Sequence, residues 1–159
     1  MKIEVLIERI EKLIKKTQES YDILYESENL LEQFEKCLSS IAKESMKDSL
    51  SCISTMVFNA GPHTRLIISE ECNVYISIAE FSIPDSLKPP IVYYREELVR
   101  ELLGLKEFIE NIDTVVREID NKIAEIDEKN EKLRKMLEEM KEILAPIIIG
   151  CKIRGDCNG

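Results

Sequence analysis

Apolar side chains recur at alternating intervals of four and three residues through Leu98, Leu102, Leu105, Ile109, Ile112, Val116, Ile119, Ile123, Ile126, Asn130, Leu133, Leu137, Met140 and Leu144. Asn130 is the one polar member of this row. A row that repeats every 3.5 residues drifts around a straight α-helix, so it stays buried only when that helix supercoils around a partner. The pattern predicts a coiled-coil helix over 95–145. A weaker row through Ile3, Leu6, Ile10, Leu13, Thr17, Ser20, Leu24, Ser27, Leu31, Phe34, Leu38, Ile41 and Ser45 predicts another over 1–50.

Two long helices separated by a short segment predict an antiparallel hairpin in which each arm buries the other's row. Spacing makes Asn130 an a position, and antiparallel pairs layer a residues against d residues. The register whose paired residue numbers sum to 150 joins Leu6 to Leu144, Leu13 to Leu137, Ser20 to Asn130, Ser27 to Ile123, Phe34 to Val116 and Ile41 to Ile109. A polar residue then meets a polar residue, so Ser20 and Asn130 are the expected register pin. A parallel dimer of the second helix competes with the hairpin. Asn130 at an a position suits it, whereas Ile112, Ile119 and Ile126 at d positions do not.

Between the helices the pattern changes to β-branched and aromatic runs cut by turn residues. Ile53 to Phe58, Thr64 to Ile68 and Val74 to Ala79 read as strands, with Asn59-Ala60-Gly61-Pro62 and Ser69 to Asn73 as turns. Val74, Ile76 and Ile78 share one face of the third strand. Pro84, Pro89 and Pro90 end the strand region, Tyr93 and Tyr94 lead into the second helix, and Pro146 is expected to stop it. The predicted fold is α+β, mostly α: an antiparallel coiled-coil hairpin of two long helices joined by a small β-hairpin head. Residues 1–149 form one coiled-coil domain, with the head at 51–94, and 150–159 form a flexible, cysteine-containing tail.

Composition narrows the chemistry. The chain of 159 residues carries a net charge of −9, and no segment offers the basic stripe that phosphate binding needs, so nucleic acid is not an expected partner. Charges in Met1-Lys2-Ile3-Glu4 replace the apolar stretch of a signal peptide, and no apolar run matches a membrane span; a cytoplasmic protein with no membrane partner is expected. The single histidine, His63, follows Pro62 in a turn without a cysteine or carboxylate cluster at a catalytic or ligand spacing. No glycine-rich phosphate loop is present. These features predict a protein that is not an enzyme and holds no cofactor or metal. Five cysteines spread along the chain do not form a disulfide framework. Cys151 and Cys157 leave three readings open: a small disulfide loop, half of a zinc site completed by another chain, or two unpaired thiols.

The order of long helix, small β region and long helix, together with Leu66-Ile67-Ile68-Ser69-Glu70-Glu71-Cys72-Asn73-Val74-Tyr75-Ile76-Ser77-Ile78, resembles the α-type subunit of prefoldin. The chain departs from that family at Ala79-Glu80-Phe81-Ser82-Ile83, where members commonly carry small, glycine-rich residues. The resemblance implies an ATP-independent holdase that assembles through its β head, with itself or with β-type prefoldin subunits. Non-native clients would be gripped at coiled-coil tips and passed to a group II chaperonin. The hairpin would bring Ile3, Val5, Leu6 and Ile7 beside Leu144, Ile147, Ile148 and Ile149 as that grip. Val57, Leu66, Ile68, Val74, Ile76 and Ile78 would form the sheet core or the oligomerisation surface. The alternative reading is a non-catalytic structural or assembly coiled-coil subunit without client handling.

Overall fold

A computed structural model describes residues 1–47, 53–91 and 95–154. Cys52, Tyr93, Tyr94 and Cys157 lie outside them. The fold is α+β and mostly α, in the order α1 (Lys2–Met46), β1 (Met56–Asn59), β2 (Thr64–Ile68), β3 (Val74–Ile78), α2 (Glu96–Glu110) and α3 (Ile112–Arg154). The chain divides into two compact units, Met1–Val116 and Arg117–Gly159.

In the first unit the strands form an antiparallel meander in the order β1-β2-β3. Phe58 stands opposite Leu66, and Leu66 opposite Ile76, so these three side chains line one face. All three are buried, while Val57, Arg65 and Tyr75 on the other face are exposed. The first turn closes through the Ala60 amide, which donates to the Thr64 carbonyl at 3.0 Å. The second closes when the Cys72 amide donates to the Ser69 carbonyl at 2.9 Å and the Asn73 amide to Ser69 Oγ at 3.1 Å. Cys72 there adopts a φ of 62°, the left-handed conformation that side chains other than glycine rarely take.

Helices α1 and α2 cover the apolar face of the sheet. Leu24 and Leu31 of α1, Leu98, Val99, Leu105 and Phe108 of α2, and Val115 at the start of α3 are buried. Gly104 permits the close approach of α2 to β3. A Cβ at this position would lie 2.5 Å from Ile78 Cδ1 and 2.7 Å from its Cγ1.

The helix pairing in this unit differs from the expected hairpin. Leu24 clusters with Leu98 and Val99, while Phe34, further along α1, meets Phe108, further along α2, edge to face at 6.2 Å. Contacts that advance together along both helices mean that α1 and α2 run in the same direction. The expected Phe34–Val116 and Ile41–Ile109 layers are replaced, and Ile41, Ile109 and Val116 are exposed. A heptad row specifies which face of a helix is buried, not the direction of what covers it. Here the direction is set by the segment after β3, which returns along α1 until Ile83 packs with Leu24, Leu98 and Val99.

Two further differences concern the second long helix. It breaks at Asn111, whose φ of −111° and ψ of 20° leave the helical region. The Asn111 side chain donates to the Glu107 carbonyl at 2.8 Å, and its own carbonyl accepts the Thr114 amide at 3.0 Å, closing α2 and starting α3. Pro146, by contrast, does not stop α3, which continues to Arg154. Proline's fixed φ is itself helical, so the ring removes one hydrogen bond without preventing continuation.

Candidate assembly surfaces

The β3 edge is occupied by side chains of α1. Ser39 Oγ accepts the Val74 amide at 2.8 Å and donates to the Val74 carbonyl at 3.1 Å. Glu35 Oε2 accepts the Ile76 amide at 2.8 Å. Partial burial pushes the Glu35 carboxyl above its ordinary pKa; the Ile76 amide opposes this shift and Glu32 adds to it. Burial likewise raises Glu101, aided by Glu28 and opposed by Arg95. At the other side of the sheet, β1 pairs only with β2 among the described residues.

The first turn is pinned to α2. Glu107 Oε2 accepts the His63 amide at 2.9 Å and the Thr64 hydroxyl at 2.8 Å, while Oε1 lies 3.0 Å from His63 Nδ1. The His63 ring stacks at a tilt on Phe81, with centroids 4.7 Å apart. Partial burial of Glu107 acts to raise its pKa, but the hydrogen bonds from the His63 ring, the Thr64 hydroxyl and the His63 amide outweigh it and hold the carboxyl below its ordinary value. His63 and this partner on α2 stand 44 residues apart, so no local sequence pattern marks the pair. Gly61 packs against the Glu107 side chain, where a Cβ would meet Cγ and Cδ at 2.6 Å.

Of the residues expected to form the head, Leu66, Val74 and Ile76 are buried, Ile68 and Ile78 are half-buried, and Val57 is exposed. Those expected at the tips, Ile3, Val5, Leu6, Ile7, Leu144, Ile147, Ile148 and Ile149, are all exposed. Asn130 is exposed, and Ser20 is half-buried. Ser27 turns its hydroxyl back onto the Ile23 carbonyl at 2.9 Å. Cys37 and Cys72 are free thiols, and Cys151 is disulfide-bonded.

The second unit carries an exposed apolar row. Along α3 the row Ile123, Ile126, Leu133, Leu137, Met140, Leu144 and Ile147 stands between 37 and 65% exposed. Surface ion pairs flank it, such as Arg134 with Glu131 at 2.9 Å and Lys129 with Glu125 at 2.9 Å. Among the described residues, no group of histidine, cysteine or carboxylate side chains could hold a metal ion, and no helix is long and apolar enough to cross a membrane. No protein-family model, curated protein or solved structure matches the chain.

Proposed function

We propose that the chain is a non-catalytic assembly module, a compact α+β head followed by a helix that binds a partner helix through its heptad face. The observation that carries this reading is the exposed row of α3 from Ile123 to Ile147. Removing one such side chain from water contributes about 1.5–3 kcal/mol, so a face of seven is a strong association surface. An isolated helix gains most of its stability from burial of such a face. A cytoplasmic location accompanies the reading. The test is light scattering on the full chain and on a Leu133→Ser/Leu137→Ser variant. Loss of the higher mass in the variant supports the module, and an unchanged mass overturns it.

A second reading, the prefoldin-like holdase, is favoured by the exposed clusters at 3–7 and 144–149. It takes non-native proteins as clients and β-type prefoldin subunits and a group II chaperonin as partners. The head would then supply oligomerisation through Val57 and the neighbouring β1 edge. Changing Ile147, Ile148 and Ile149 to Ser should abolish suppression of client aggregation. Retained suppression sinks the tentacle mechanism.

A further inference from the structure

We infer that the partner of α3 is α3 of a second copy of this chain, lying antiparallel, with the two-fold axis between Glu131 and Lys132; this deepens the assembly reading and rests on it. The argument is the distribution of charge beside the exposed row. With Asn130 at a, the e positions along α3 are Asp113, Asp120, Asp127, Arg134, Lys141 and Ile148, and the g positions from Lys122 to Ile143 are Lys122, Lys129, Met136 and Ile143. The e row is acidic before residue 131 and, after it, basic at Arg134 and Lys141 and apolar at Ile148. The g row is basic before that point and apolar after it. Such segregation has a direct reading, because antiparallel helices oppose e to e and g to g, whereas parallel ones oppose g to e.

In the antiparallel register Asp127 faces the partner's Arg134, and Asp120 faces the partner's Lys141. Two-fold symmetry repeats both pairs. Lys129 lies over the partner's Met136 and Lys122 over the partner's Ile143, where the lysine stems cover apolar surface and their ammonium groups reach water. No like charges meet. The core layers are Val116 with Ile147, Ile119 with Leu144, Ile123 with Met140, Ile126 with Leu137, and Asn130 with Leu133. The two copies of Asn130 fall in adjacent layers, about 4.5 Å apart along the axis, where each amide can satisfy the other.

The alternatives fit less well. A parallel pair sets Lys122 against the partner's Asp127 but Lys129 against the partner's Arg134, one attraction against one repulsion. The hairpin register that sums to 150 opposes Ile7 to Lys141, Ile14 to Arg134, Tyr21 to Asp127 and Glu28 to Asp120, with no unlike charges facing. Within the chain, Arg134 and Lys141 hold exposed partners one turn away, Glu131 and Glu138. Among the described residues no ion pair reaches Asp120 or Asp127, the two acids that the second copy would engage.

The experiment is sedimentation equilibrium on the full chain with two charge variants, Asp120→Lys/Asp127→Lys and Arg134→Asp/Lys141→Asp. The wild type should be a reversible dimer. Each variant alone should associate about tenfold or more weakly, because every e-to-e pair becomes a like pair. An equimolar mixture should recover heterodimer, since basic and acidic rows then meet. The variant carrying all four changes should dimerise as the wild type does, which guards against misfolding of either double variant. A monomeric wild type overturns the inference, as do charge variants that associate like the wild type. Tighter association of Arg134→Asp/Lys141→Asp would assign the parallel pair instead, because it removes the Lys129–Arg134 repulsion. Persistence of the dimer in Leu133→Ser/Leu137→Ser overturns the assembly reading itself. Loss there with indifferent charge variants overturns only the antiparallel register.

Discussion

Glu107 holds His63 at two points: one carboxylate oxygen accepts the His63 amide at 2.9 Å and the other lies 3.0 Å from Nδ1 of its ring. A turn that a short hairpin would leave loose is thereby tied to a helix. The contact links the sheet's first connection directly to α2.

The tie should be acid-sensitive. Because the folded Glu107 carboxyl sits below its ordinary value of 4.5, its contribution is complete above that value and is lost as pH falls through the lower, folded one. Glu107→Gln should cost about 1–3 kcal/mol at neutral pH. Denaturant unfolding at pH 7 and in acid should show the wild type and the variant converging as pH falls.

Glu101 should behave with the opposite sign. Its folded pKa is raised above 4.5, so stability is highest below that value and declines as pH rises through the folded one. Glu101→Gln removes the penalty of ionising a partly buried carboxyl, to which Glu28, Glu35 and Glu32 add. The variant should gain a few tenths to about 1 kcal/mol at pH 7, measured by thermal unfolding, and nothing in acid.

Gly104→Ala tests the helix-to-sheet approach. Alanine favours the helix by about 1 kcal/mol, but its methyl would press on both γ carbons of a β-branched side chain, Ile78. Overpacking of this kind costs about 1–3 kcal/mol. The net expectation is a lowered midpoint of denaturation; a raised midpoint would show that α2 can shift freely.

Ser39→Ala should open the β3 edge. One hydroxyl serves both the amide and the carbonyl of Val74, so its loss leaves two strand-edge groups unpaired, at about 1–2 kcal/mol. Faster hydrogen exchange at the Val74 amide, with little change at Tyr75, is the expected signature. Exposed edges template pairing between chains, so the variant should also aggregate more readily on storage.

The strands were legible because β-branched runs between turn residues have few other uses, and Thr64 to Ile68 is bounded as expected. The face of α1 at Leu24, Ser27 and Leu31 was legible for the same kind of reason, since all three belong to its row and all are buried. What covers that face was not. A heptad records a burial requirement that a parallel helix and a strand can meet together. Phe108 and Val115, both buried, stand outside the row altogether, because in α2 and the first turn of α3 the buried stripe includes g positions. The Glu107 tie to His63 escaped because it joins a helix to a turn across the fold, and no local pattern marks either residue.

The interruption at Asn111 divides a heptad row that passes through it without a change of phase. Before it, Leu98, Leu105 and Phe108 are buried; after it, Val116, Ile123 and Ile126 of the a and d row are exposed. Length added beyond Val116 in steps of seven residues would therefore extend the exposed row in phase. The head is specified by packing, and the row beyond Val116 by counting.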